Sequence, residues 1–182
     1  MKKTILAILI SGLSLSISAN TIKEDDASAK INITYSSYDF DSGSDMIKLG
    51  GELQLENNLL GYAYYGVGEK DLEDKEIGVG YRLFLNNKMY LTGTAGYNIF
   101  NINDNLEYKS KNIKGSLTYN YSNKLDLTLG LEKAFFETED ENFKDDHDLF
   151  LSANYNLTKN IYIGVQHRKL FEETSINFEW RF

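Results

Sequence analysis

The 182-residue sequence contains no cysteine and no proline, only two histidines and a single tryptophan. Without cysteine there is no disulfide frame, thiolate metal site, cysteine nucleophile or lipid-modified cysteine near the front of the chain. The missing proline suits a chain made mostly of paired strands, because proline removes a ladder donor. Mean hydropathy is mildly negative, and after the first twenty residues no apolar run is long enough for a membrane helix. Clustered Lys and Arg are also lacking. The net charge is −8, and an acidic chain argues against nucleic acid as a partner, since phosphate backbones reward basic patches.

Tyr and Phe are plentiful, at 13 and 10 residues. The first residues read as a secretory signal: a basic "MKK", the apolar core "TILAILISGLSLSI", and small Ala19 at the cut. The expected organisation is a leader over 1–19, a short polar lead-in over 20–28 and one domain over 29–182. Loss of the leader removes Lys2 and Lys3 and leaves 17 basic against 27 acidic residues, a net charge of −10.

From Lys30 onward the period is two. Ile31, Ile33 and Tyr35 alternate with Lys30, Asn32 and Thr34. Ile47, Leu49, Leu53 and Leu55 alternate with Lys48, Glu52 and Gln54, and Ile77, Val79, Tyr81, Leu83 and Leu85 with Glu76 and Arg82. Leu125 to Leu131 and Leu149 to Leu157 repeat the pattern. This is strand alternation, with no comparable helical stripe. The breaks are of two kinds, which take turns along the chain. Tight Asn-rich turns fall at 56–58, 86–88, 122–124 and 157–160; Asn tolerates the left-handed conformations that hairpins need. Mostly longer, acidic connections fall at 39–45, 69–74, 101–105, 137–148 and 170–174. Nine connections predict ten strands, with eight as the alternative.

Short turns on one side, longer loops on the other and alternating segments of about ten residues form the pattern of an all-β, antiparallel, up-and-down transmembrane barrel. Closure leaves no unpaired edge, which lipid would not tolerate. A soluble barrel or sandwich shares the period. The leader and two aromatic groups favour the membrane: Tyr90, Tyr119, Tyr121, Tyr155, Tyr162, Trp180 and Phe182 near the turns, and Tyr38, Phe40, Phe100, Tyr108, Phe135, Phe136 and Phe171 near the loops.

The chain ends in "SINFEWRF", where Ile176, Phe178, Trp180 and Phe182 alternate with Asn177, Glu179 and Arg181. This run resembles the C-terminal signature of bacterial outer-membrane proteins. The resemblance implies an assembly signal read by the barrel assembly machinery, export past periplasmic chaperones, and contact with outer-membrane lipid and lipopolysaccharide. In pattern and size the chain is similar to the OmpA/OmpX-like or YfaZ-like small barrels.

Candidate sites follow from the register. The inward face should carry Lys48, Glu52, Glu76, Arg82, Lys114, Glu132, Arg168, Glu179 and Arg181, both signs facing each other across a narrow lumen. About eight strands enclose a space just filled by side chains, so this set is expected to form an ion network that occludes the barrel. The acidic loops, with no fixed calcium-loop spacing, are expected to hold divalent cations only diffusely. No cofactor is implied. Omptin-like proteases use Asp pairs and an Asp–His pair at the outer rim, where Asp145, Asp146, His147 and Asp148 stand; lipid A-modifying barrels use a His near the outer leaflet, where His167 stands. The expectation is a non-enzymatic envelope protein with a largely plugged lumen. A small ion or solute channel is the alternative, and surface interaction through the acidic loops is a further one.

Overall fold

Residues that alternate apolar and polar over ten or more positions can satisfy both faces only if the sheet separates two different surroundings. The structure, a computed structural model, describes residues 29–38, 44–69, 72–102, 106–137, 146–169 and 173–182. The leader, the lead-in and the loop carboxylates Asp39, Asp41, Asp71, Asp140, Glu141 and Asp145 lie outside the described residues.

Ten antiparallel strands close into one barrel. They are β1 (Ala29–Tyr38), β2 (Ser44–Gln54), β3 (Leu59–Gly68), β4 (Glu73–Asn86), β5 (Met89–Ile102), β6 (Leu106–Ser122), β7 (Leu125–Phe136), β8 (Asp146–Thr158), β9 (Ile161–Arg168) and β10 (Glu173–Arg181). Each strand pairs with its sequence neighbours, and β1 pairs with β10 from Lys30 opposite Arg181 to Tyr38 opposite Glu173. The terminus completes this seam: the Phe182 N–H donates to the Ala29 carbonyl at 2.9 Å.

The outward set is apolar and exposed. Ile77, Val79 and Leu131 are each more than 60% accessible, far beyond what a water-soluble surface shows for a contiguous apolar band. The two faces therefore invert the soluble rule, with polar residues inside and apolar ones outside, as lipid requires. β6, at 17 residues, exceeds the 9–11 that a tilted spanning strand needs. Its outward face turns basic above Ile113, at Lys111 and Lys109, beyond the membrane-spanning part. The Lys111 ammonium donates to Glu137 at 2.6 Å, which raises it above the usual lysine range.

The tight turns repeat a device. In three of them a side chain two residues back accepts from the backbone: Lys88 N–H to Asn86 at 2.8 Å, Lys124 N–H to Ser122 at 3.2 Å and Asn160 N–H to Thr158 at 3.4 Å. The carbonyl of the same residue is then taken by the next hairpin along: Lys88 by the Asn120 N–H, Lys124 by that of Asn156, and Asn160 by that of Arg181. The β2–β3 turn differs. It is a single 3-10 turn over Glu56–Asn58, with Asn57 and Asn58 at φ 61° and 64°, a region Asn enters more readily than most residues.

The structure departs from the sequence pattern in both aromatic groups: on the turn side Tyr90 and Tyr162 fall on inward positions, beneath Arg82 and Arg181. Of the aromatics near the loops, Phe100, Tyr108 and Phe136 fall on inward positions, so that end carries no full girdle among the described residues. The strands also run further into the acidic stretches than their composition suggests: Glu73 and Asp74 open β4, Asp146 to Asp148 open β8, and Glu173 opens β10.

Candidate functional site in the barrel lumen

The nine charged residues singled out by the alternation all occupy inward positions. With Lys30, Asp74, Asp126, Asp148 and Glu173 they gather into two tiers.

The outer tier lies toward the loops. Lys114 on β6 bonds Glu76 on β4 at 2.7 Å and faces Glu132 on β7 at 3.6 Å. Arg168 on β9 pairs with Glu132, donates from Nε to Asp148 on β8 at 2.7 Å, and stands 3.6 Å from Glu173 on β10. Lys48 on β2 pairs with Asp74 on β4, and Asn112 donates to Glu76 at 3.0 Å. One guanidinium thus holds three strands through three carboxylates, which its planar fork of donors allows and an ammonium would not. Above this tier Met46, Leu72 and Phe100 pack together at the mouth.

The inner tier lies toward the turns. Glu52 on β2 accepts from Arg82 on β4 at 2.8 Å and lies 3.3 Å from Lys30 on β1; Gln54 takes a second bond from Arg82, also at 2.8 Å. Arg181 pairs with Glu179 on its own strand and reaches Asp126 on β7 at 3.6 Å. Both arginines lie over rings: Arg82 over Tyr90 at 4.8 Å and Arg181 over Tyr162 at 3.6 Å. Leu60 is buried beside this tier.

Between the tiers the wall is neutral. Thr118 and Thr128 share a hydrogen bond at 2.9 Å, and Asn177 donates to Asn154 at 3.1 Å. Three rings lie along the wall over glycines one or two strands away, Tyr64 over Gly50, Tyr62 over Gly78 and, with its hydroxyl, Gly96, and Phe150 over Gly130; a Cβ at Gly50, Gly78 or Gly130 would overlap the ring. The paired charges are largely withdrawn from water: Asp148 is 2% exposed, and Arg82, Glu132 and Glu179 are each 8%.

The terminal residues sit elsewhere. Ile176, Phe178 and Trp180 face outward, and the Trp180 and Phe182 rings stack at 5.1 Å. His147 and His167 also face outward, away from the lumen, with His147 opposite Lys133 and His167 Nδ1 3.2 Å from the Thr174 hydroxyl.

Sequence reasoning missed Lys30, Asp74, Asp148 and Glu173 as lumen charges. Lys30 and Asp148 continue the parity of Asn32 and of Phe150 and Ser152, so the signal was present. It was hidden for three of the four by the acidic stretches they stand in.

No family model matches the sequence, and no curated protein matches it either. Solved structures do. The likeness is one of fold. The KdgM porin is 12% identical, with 84% of this chain and 99% of that one covered and a TM-score of 0.51. The NanC porin is 12% identical, covering 85% and 98%, with a TM-score of 0.50. An outer membrane channel from Pseudomonas putida F1 is 9% identical, covering 88% and 100%, with a TM-score of 0.52. The fold is that of the outer-membrane β-barrels.

Proposed function

We propose that the protein is an integral outer-membrane barrel whose main role is structural, with a lumen occluded by its own side chains. The observation that carries this reading is the burial of both ion tiers. A water-filled pore leaves its lining charges wet, whereas here carboxylates and guanidinia bond one another and only a small part of them reaches solvent. Met46, Leu72 and Phe100 at one end and Leu60 at the other supply apolar stops. Ile176, Phe178, Trp180 and Phe182 serve as the signal for the assembly machinery after export behind a cleaved leader, and the chain is one of the small OmpA/OmpX-like or YfaZ-like barrels. No catalytic step is assigned to either histidine.

A second reading, a narrow cation path, draws on the charge balance. Among the described residues the outer tier has five carboxylates, Asp74, Glu76, Glu132, Asp148 and Glu173, against three cations, Lys48, Lys114 and Arg168. The inner tier balances three against three. A mouth with surplus carboxylates favours cations over acidic solutes.

Planar bilayers separate the two. The occluded barrel gives no resolvable current steps; steady, cation-selective steps from the purified protein would replace the first reading with the second.

A further inference from the structure

The two ends of the barrel treat their lysines differently. At the loop end Lys75, Lys109 and Lys111 each pair with a glutamate. At the turn end each of the three two-residue turns carries one lysine: Lys88 between β4 and β5, Lys124 between β6 and β7, and Lys159 between β8 and β9. All three are exposed, and among the described residues none of their ammonium groups meets a carboxylate. In a chain with 27 acidic residues against 19 basic ones, unanswered positive charge is thus gathered on one rim.

The rim is also held in place. The Lys88 and Lys124 carbonyls accept from the Asn120 and Asn156 N–H groups of the next hairpins, each at 2.7 Å, and the Asn160 carbonyl accepts from that of Arg181 at 2.8 Å. These bonds use the backbone and leave the lysine side chains out. Successive turns stand two strand spacings apart, roughly 10 Å, so the three charges lie along an arc from β4 to β9. Lys88 and Lys124 continue the inward parity of Tyr90, which lies under Arg82, and of Asp126, which Arg181 reaches. That sets them on the mouth side of the rim rather than the bilayer side. Phe84 shares this inward parity at the turn end of β4, 49% exposed and 5.8 Å from the Tyr90 ring.

The short turns of an outer-membrane barrel face the periplasm. Three fixed cations at regular spacing, with a ring face at the same mouth, fit a polymer that carries carboxylates at intervals along a sugar chain. A single phosphate headgroup would engage one lysine and leave the ring unused. We infer that this rim docks the cell-wall glycan, peptidoglycan, whose peptide side chains bear free carboxylates. The lysines take the carboxylates, and Phe84 lies against a sugar. This docking supplies the partner of the structural role proposed above and rests on that reading.

The test is cosedimentation of the detergent-purified barrel with purified sacculi. Wild type should cosediment, and added salt or amidation of the sacculus carboxylates should remove most of the binding. Lys88→Gln with Lys124→Gln and Lys159→Gln should weaken it on the order of tenfold, as for three exposed ion pairs lost together. Phe84→Ala should weaken it less, and Lys109→Gln at the loop end should change nothing. Glu24→Gln with Asp25→Asn and Asp26→Asn, ahead of β1, should leave binding equal or stronger; weaker binding would place the contact in the lead-in and overturn the rim. Equal binding by the triple lysine variant, or full binding to amidated sacculi, overturns it as well. The amidation arm uses the wild type, so it decides even if the triple variant assembles poorly. Binding that vanishes when the barrel is held in phosphatidylglycerol rather than phosphatidylcholine nanodiscs would mean that the lysines read lipid phosphate, and would also sink the site. The chain has no cysteine, so Lys88→Cys gives a single label. It should react with a bulky maleimide only after the outer membrane is opened. Labelling on intact cells would overturn the orientation, and bilayer current steps the occluded lumen, so those failures are told apart from a failure of the rim.

Discussion

The outer and inner tiers of the lumen use the same chemistry to different ends. The outer tier is concentrated: one guanidinium, Arg168, reaches Glu132, Asp148 and Glu173, and so ties β7, β8 and β10 to β9. The inner tier is distributed. Glu52 has both Arg82 and Lys30, Arg82 has Gln54 and the Tyr90 ring besides, and Arg181 rests on Tyr162. A concentrated network is vulnerable at its centre, because the loss of one cation strands several buried carboxylates. The cluster around Glu52 loses less, because Glu52 keeps a second cation when either Arg82 or Lys30 is removed. The difference teaches that ion pairs here are to be valued by what remains after a deletion, not by how many there are.

The largest expected effect therefore comes from Arg168→Met. Breaking a buried network by removing one partner costs about 3–5 kcal/mol, and three buried carboxylates would lose their shared cation at once. On an unboiled gel the folded barrel should run as a compact band, and this band should convert at a markedly lower temperature or urea concentration in the variant than in wild type. Arg168→Lys should recover only part of this, since an ammonium cannot span three carboxylates as the fork does. A full rescue by lysine would show that charge alone, without geometry, holds the outer tier.

Arg82→Met should cost less, about 1.5–3 kcal/mol as for one charged hydrogen bond, because Lys30 stays 3.3 Å from Glu52. Measured in the same urea series, a loss equal to that of Arg168→Met would erase the distinction between concentrated and distributed tiers. Adding Lys30→Met should then sharpen it: the double variant should lose more than the two single losses combined, as Glu52 would be left buried with neither cation.

The alternation that places Lys48, Glu52, Arg82 and Lys114 inside could be read from the chain because each stands in a run of period two. So could the ten strands, the Asn-rich turns and the outward Ile176, Phe178 and Trp180. Asp148 and Glu173 could be read only against their composition. Each stands in an acidic run that reads as a hydrated loop, and the partner that holds it in the lumen is Arg168, twenty positions away from Asp148 and on another strand. Local composition reports the solvent preference of a carboxylate; only closure reveals a guanidinium in front of it. Phe100 shows the same limit. Its aromatic character suits a membrane girdle, but its parity turns it inward against Met46 and Leu72.

The smallest effect is expected in the neutral layer that separates the tiers. Thr118 is buried, and its hydroxyl shares one hydrogen bond with that of Thr128. Val matches Thr in shape, so Thr118→Val removes the bond with little change in packing and leaves the Thr128 hydroxyl without its partner. That should cost about 1 kcal/mol, the ordinary net value of such a bond. The double variant Thr118→Val with Thr128→Val removes both polar groups at once and should cost less than the sum of the two single variants, because no orphaned hydroxyl remains. The urea midpoints of the four proteins form the cycle. A double variant that costs the full sum would mean that water satisfies each hydroxyl independently. The layer between the tiers would then be wet, and the barrel would be closer to a channel than its paired charges imply.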